Sequence, residues 1–400
     1  MNVVAQSPGL DLEPAASKFL LASRRLWFAV AAVGQVAFAA SVAIFYGVSA
    51  WRGNWLAWNR SLAHGYVAGN DLGNGALAAH LLFASLITFA GLLQLAPPVR
   101  RHYPRFHRWL GRSYVAAAAV MGATGLYLIL AGRTIVAGPA DHAASVINAL
   151  LILFCAAQAL RHARARDFVR HRRWALRLFL AVGGVWFFRV GLMFWLLVNQ
   201  GPVGFDPTTF RGPFVTFLSY AQFLLPLATL EAVFRAQERP GAPRRILVAA
   251  MLSGLTLVMG AGIASAIAGL WLPRIVQGFD ARISIADTLA ATIAARGVDE
   301  AVRQYEQIRA QAPAAVNLDE SELNNLGYAL IRAGKPQQAL RILQLNVAAF
   351  PKSSNASDSL AEAYLDAGDK AQAIANYRLA LIKDPGNRNS AIMLQRLTAP

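Results

Sequence analysis

Ile246 to Leu272 read ILVAAMLSGLTLVMGAGIASAIAGLWL, without one charged side chain. A helix needs about 20 apolar residues to cross roughly 30 Å of hydrocarbon, so this run is long enough to span a bilayer. Six further stretches read the same way: 27–49, 75–97, 113–132, 143–161, 175–198 and 213–234. Composition agrees with them. The 400-residue chain is 56% hydrophobic and 15% charged, whereas an ordinary soluble domain carries about 25% charge. The expected class is therefore all-α, beginning with a polytopic bundle of about seven transmembrane helices. The first run begins near Trp27, behind Arg24 and Arg25, and is too long for a signal-peptide core, so it reads as a retained anchor.

The net charge is +17, and its placement is informative. Residues 297–400 hold 11 Lys/Arg and 11 Asp/Glu, so the excess lies upstream, between the apolar runs. The connector 98–112 has five Arg and no acid; 161–177 has seven Arg and one Asp; 235–245 has four Arg and one Glu. The alternate connectors 50–74, 133–142 and 199–212 are nearly neutral. Every second connector is basic, which by the positive-inside rule places those three in the cytoplasm with the N-terminus. Seven crossings then put the C-terminal region outside. The expected location is the inner membrane of a two-membrane bacterium, with that region in the periplasm. A basic excess spread over topology-setting connectors does not read as a nucleic-acid surface, and no nucleic-acid partner is expected. The lone Cys155, inside an apolar run, excludes an intrachain disulfide and a cysteine metal cluster.

Beyond residue 296 the pattern becomes that of amphipathic soluble helices. Ala339, Leu343 and Pro351 recur 34 residues later as Ala373, Tyr377 and Pro385. Leu326-Gly327 recurs as Leu360-Ala361, and Ala301, Tyr305 and Pro313 form a weaker third copy. The period resembles the tetratricopeptide repeat family. Asn346 departs from that pattern, which favours a small residue there. The resemblance implies an α-solenoid that binds a protein or peptide partner. The expected organisation is a cytoplasmic tail over 1–26, a bundle over 27–272, a bridge with the start of a weak repeat over 273–296, and the repeats over 297–400.

Two basic connectors share a motif. Arg105-Phe106-His107-Arg108-Trp109-Leu110-Gly111-Arg112 and Arg170-His171-Arg172-Arg173-Trp174-Ala175-Leu176-Arg177 each set His-Arg and a Trp at the start of a helix. This suggests an internal duplication of a helical hairpin. With His80 and Arg189, these segments resemble an uncharacterised family of bacterial membrane proteins, a domain of unknown function, over about 75–200. The resemblance implies a polytopic membrane fold and no known reaction.

Three readings of the motif stand open. Arginines and tryptophans at the interface bind lipid phosphates and set orientation. Alternatively His107 and His171 ligate the iron of haem b, with neighbouring arginines on its propionates. Or Arg108, Arg112, Arg172 and Arg173 hold another anion. Arg189, well inside the 175–198 run, is costly in hydrocarbon and calls for a partner. It and His80 lie at similar depth on the outer side, where they are expected to line one cavity with Tyr46 or Tyr220. Gln35, Gln94, Gln158 and Gln222 are expected to bond between helices. The chain contains no phosphate loop, His-Glu-x-x-His or Gly-x-Ser-x-Gly, and nothing decides whether it is an enzyme. The leading expectation is a membrane-anchored scaffold or binding protein. The rival is a redox or transport protein using His107 and His171, or His80 and Arg189.

Overall fold

The computed structural model describes residues 12–60, 62, 65–67, 69–131, 138–206, 210–239, 241–280, 282–311 and 314–398. Gly132 and Pro313 lie outside the described residues. The membrane part comprises α1 (Glu13–Trp51), a 3-10 turn (Trp55–Arg60), α2 (Asp71–Leu95), a short α3 (Pro97–His102), α4 (Pro104–Leu130), α5 (Pro139–Arg164), α6 (Phe168–Val182), α7 (Gly184–Asn199), α8 (Pro213–Glu238) and α9 (Ala242–Ala266). A π-helical turn (Ile267–Trp271) carries α9 into α10 (Leu272–Phe279). Among the described residues six helical segments are long and apolar enough to cross a bilayer, and the bent pair α6–α7 adds a seventh when it is counted as one span. Proline occupies the first turn of α4, α5, α8 and α9, where its missing N–H costs nothing and its φ suits the helix.

Two departures from the apolar pattern have clear causes. Helix α1 starts at Glu13, well before Trp27. Its first turns are amphipathic and anchored, since Glu13 pairs with Arg245 and Ser17 Oγ accepts from Arg245 at 2.7 Å. The 175–198 run is not one straight helix, because α6 and α7 meet at Gly183 with a 52° bend. A glycine pair is a usual site for such a kink. Asn148 of α5 donates to the Ala181 carbonyl at 3.2 Å beside the break. A Cβ on Gly184 would stand 2.9 Å from that same amide.

Among the described residues the bundle has three buried clusters, the smallest of them Leu20, Val233, Ala236, Val248, Ala249 and Leu252 between α1, α8 and α9. Helices α2, α4, α5 and α6 enclose Ile87, Tyr114, Ala118, Cys155, Leu178 and Ala181. Helices α1, α7 and α9 enclose Phe38, Phe45, Tyr46, Trp186, Ile263 and Trp271, with Leu77, Ala78 and Leu81 of α2 packed on the edge. Helix α8 joins the larger two, packing on α5, α6, α7 and α9. Of the four glutamines, Gln94 bonds between helices, donating to the His107 carbonyl at 2.8 Å. Gln222 turns back on Ser219 of its own helix, and Gln35 Oε1 is buried without a partner.

A two-residue parallel ladder, β1 (Ile283–Ser284) with β2 (Val316–Asn317), opens the soluble part. Paired helices follow: α11 (Ile285–Arg296) with α12 (Val298–Gln311), α13 (Glu320–Arg332) with α14 (Pro336–Ala349), and α15 (Ser354–Asp366) with α16 (Lys370–Lys383), closed by α17 (Arg388–Thr398). The repeating positions hold equivalent places. Ala301, Ala339 and Ala373, and Tyr305, Leu343 and Tyr377, are all fully buried or nearly so. A Cβ on Gly327 would stand 2.5 Å from Leu343 Cγ, so only glycine lets α13 lie this close to α14. Asn346, the departure from the repeat, is buried with neither amide atom hydrogen-bonded.

The solenoid is clamped to one end of the bundle. Arg52, just past α1, donates to the Asp280 carbonyl at 2.7 Å and the Gly278 carbonyl at 3.4 Å, at the C-terminal end of α10. Asn54 donates to Asp287 of α11 at 2.9 Å, and α13 packs against the 3-10 turn. Facing the α7–α8 connector, Tyr328 donates to Glu362 at 2.5 Å, and Asn389 to Glu362 and Asp358 at 2.9 Å each. Burial pushes both carboxyls above the usual carboxylate range, and Asp206 of that connector adds to the push on Glu362. The repeats therefore sit at the end opposite the three arginine-rich connectors.

Candidate functional site

The two His-Arg motifs arrive at the same end of the four-helix core, where His107 of α4 and His171 of α6 are within electrostatic reach of one another. Nδ1 of His171 lies 2.9 Å from the Ala159 carbonyl. A carbonyl only accepts, so a proton sits on Nδ1, and in the neutral ring Nε2 is then the atom that can ligate a metal. Nδ1 of His107 is buried and has no hydrogen-bond partner among the described residues. No group of three or more His, Cys, Asp and Glu among the described residues is placed to hold a metal ion.

The arginines of the motifs do not converge on these rings. Arg108 and Arg112 are exposed beside Trp109, itself 68% exposed, with Arg112 stacked 5.7 Å from the indole centroid. Tyr103, Phe106 and Phe168 are exposed at the same end. This is the amphipathic belt that headgroups solvate. Arg173 instead pairs with Glu238 and lies over Phe234, and Arg177 pairs with Glu231 at 2.6 Å. Arg172 is exposed and feels Arg24 of α1. The second motif is thus tied to α8, while the first faces outward.

The other pair separates. His80 sets Nδ1 3.1 Å from Thr124 Oγ1 on α4. The threonine hydroxyl donates to the Val120 carbonyl at 2.7 Å, so its oxygen accepts from the histidine. Arg189 of α7 turns the other way, with its guanidinium 5.3 Å from the Phe38 ring and in electrostatic reach of Tyr46 and Arg274. Tyr46 therefore joins Arg189 as expected. Tyr220 does not, since its hydroxyl bonds the Ala140 carbonyl at 3.2 Å. Sequence reasoning missed Arg274, which sits in the segment read as a bridge. The available signal was Pro273 closing an uncharged run that extends past ordinary span length.

Residues 77–208 match the model of DUF2306, a family described as predicted membrane proteins. The DUF2306 match runs from α2 through the connector after α7 and takes in both His-Arg hairpins, His80 and Arg189. No curated protein matches the chain. A crystal structure of the TPR domain of P58(IPK) aligns with 82% of this chain and 95% of its own, at 16% identity and a TM-score of 0.20.

Proposed function

We propose that the chain is a membrane-anchored binding protein whose repeats take a protein or peptide partner on the periplasmic side of the inner membrane. The observation that carries this reading is an open groove of about 390 Å³ between the second and third repeats. Leu340 forms its apolar floor and Gln337, Arg341, Gln344, Tyr364 and Asp369 surround it, with Gln344 donating to Tyr364 at 3.0 Å and Arg341 paired with Asp299. An apolar floor with a few placed polar groups is how a binding site combines affinity with orientation. A photo-crosslinking residue at Gln337 of the full-length protein in its own membrane is expected to give a discrete heavier adduct. The same residue at exposed Lys352, outside the groove, is expected to give none. Equal labelling at both positions, or none at Gln337, removes the reading.

The tautomer of His171 favours a second reading, in which the four-helix core binds haem b between His107 and His171. The two rings would hold the haem, which would supply one-electron chemistry. Protein produced with full haem supply is then expected to show a sharp visible band on reduction that His171→Ala abolishes and His162→Ala leaves. A colourless parent protein ends this reading without touching the first.

A further inference from the structure

The core around α1, α7 and α10 contains an excess of donors. Arg189 and Arg274 lie within electrostatic reach of each other and of Tyr46, and among the described residues neither has a hydrogen-bonded or ion-paired acceptor. Trp186 and Trp271 belong to the same core at 2% and 1% exposure, and both indole N–H groups are buried without a partner among the described residues. Phe38 connects them, 5.7 Å from the Trp271 ring and 5.3 Å from the Arg189 guanidinium. Two guanidiniums within electrostatic reach of each other repel in a poorly solvated setting, and unpaired charge there is strongly unfavourable. A protein keeps such a pair when a third charge completes it.

The backbone favours the same conclusion. The π-helical turn Ile267–Trp271 directly precedes α10. Such turns re-aim the side chains that follow them and are frequent at functional sites. Gly278 sits against Ile44 and the Phe45 backbone, where an added Cβ would stand 3.1 Å from Phe45 Cα, so α10 lies close on α1. Leu272, Val276 and Phe279 of α10 are 52%, 61% and 60% exposed, an apolar strip on the face of α10 opposite Arg274, which turns inward toward α1.

We propose that Arg189 and Arg274 form a phosphate-binding site in the outer half of the bundle, and that the phosphate belongs to the headgroup of an anionic phospholipid drawn from the surrounding bilayer. Guanidiniums match phosphate oxygens two at a time, and one bridging phosphate relieves the repulsion between them. The same phosphate chemistry in water-soluble form is the alternative source. Neither the repeat groove nor haem enters this inference.

The test is thermal melting of the full-length protein in detergent after delipidation. Phosphatidylglycerol is expected to raise the midpoint by on the order of 5 °C, as a ligand well above its dissociation constant does. Phosphatidylcholine, whose headgroup is neutral overall, is expected to raise it by much less. Arg189→Met and Arg274→Met should each lose that difference, while Arg189→Lys keeps only part of it. An equal shift from glycerol 3-phosphate keeps the site and reassigns its ligand to the soluble source. A parent protein that responds to neither phosphatidylglycerol nor glycerol 3-phosphate overturns the proposal, whatever the variants do. So does a phosphatidylglycerol shift retained by the double Met variant.

Discussion

Replacing Gly262 with leucine is expected to lower the melting midpoint of the detergent-solubilised protein by about 5–10 °C, or to prevent its accumulation. A Cβ at this position overlaps the Val190 carbonyl oxygen of α7 and stands 2.9 Å from Val190 Cγ1 and 3.2 Å from Phe194 Cβ. The main obstacle is backbone, which no rotamer change moves aside. Small residues are what allow membrane helices to approach this closely, because their attraction is van der Waals packing at short range. Overfilling a packed site costs about 1–3 kcal/mol, and separating α7 from α9 also carries Arg189 away from Phe38. Gly254 supplies the internal control. It lies on the same helix, nothing is within 4 Å of its added Cβ, and Gly254→Leu is expected to behave as the parent. If the two variants melt alike, α7 and α9 do not pack as described.

A reporter active only in the cytoplasm is expected to be silent when fused after Pro400 and active when inserted after Arg166. The connector 161–177 carries seven arginines, and short loops rich in Lys and Arg stay on the cytoplasmic side. The α1–α2 connector and the α7–α8 connector lie at the other end of the helices, where the solenoid is held by Arg52, Asn54 and the α13 contact. The contrast between the two fusions should be all or none. Activity at both positions would place the repeats in the cytoplasm and require an even number of crossings, with the bent pair α6–α7 as the first suspect.

Local pattern made much of the molecule legible. A run such as 246–272 has one low-cost environment, because every backbone group is satisfied within the helix and the uncharged side chains prefer hydrocarbon. The repeat was readable for a similar reason. Ala339, Leu343, Ala373 and Tyr377 recur because each helix pair buries one face on its neighbour, and a face repeats with the unit. The paired His-Arg-Trp motifs were visible as a duplication, and the structure does bring His107 and His171 to one end of one core. It also separated what looked alike. Arg108 and Arg173 occupy corresponding motif positions, yet one faces outward beside Trp109 and the other pairs with Glu238.

By itself the sequence determined the crossings, the alternation of their connectors and the period of the repeats, all of which depend on residues close together in the chain. Tertiary structure alone decided which buried groups meet. Counting along the helices sets His80 and Arg189 at similar depth, yet His80 bonds Thr124 of α4 while Arg189 lies over Phe38 of α1, because facing follows from how helices rotate as they pack. Arg274 reaches Arg189 from 85 positions away in the chain, across a π-helical turn whose register no local pattern announces. Coulombic and aromatic contacts act through space, so the grouping of Arg189, Arg274, Tyr46 and Phe38 exists only once α1, α7 and α10 have packed together.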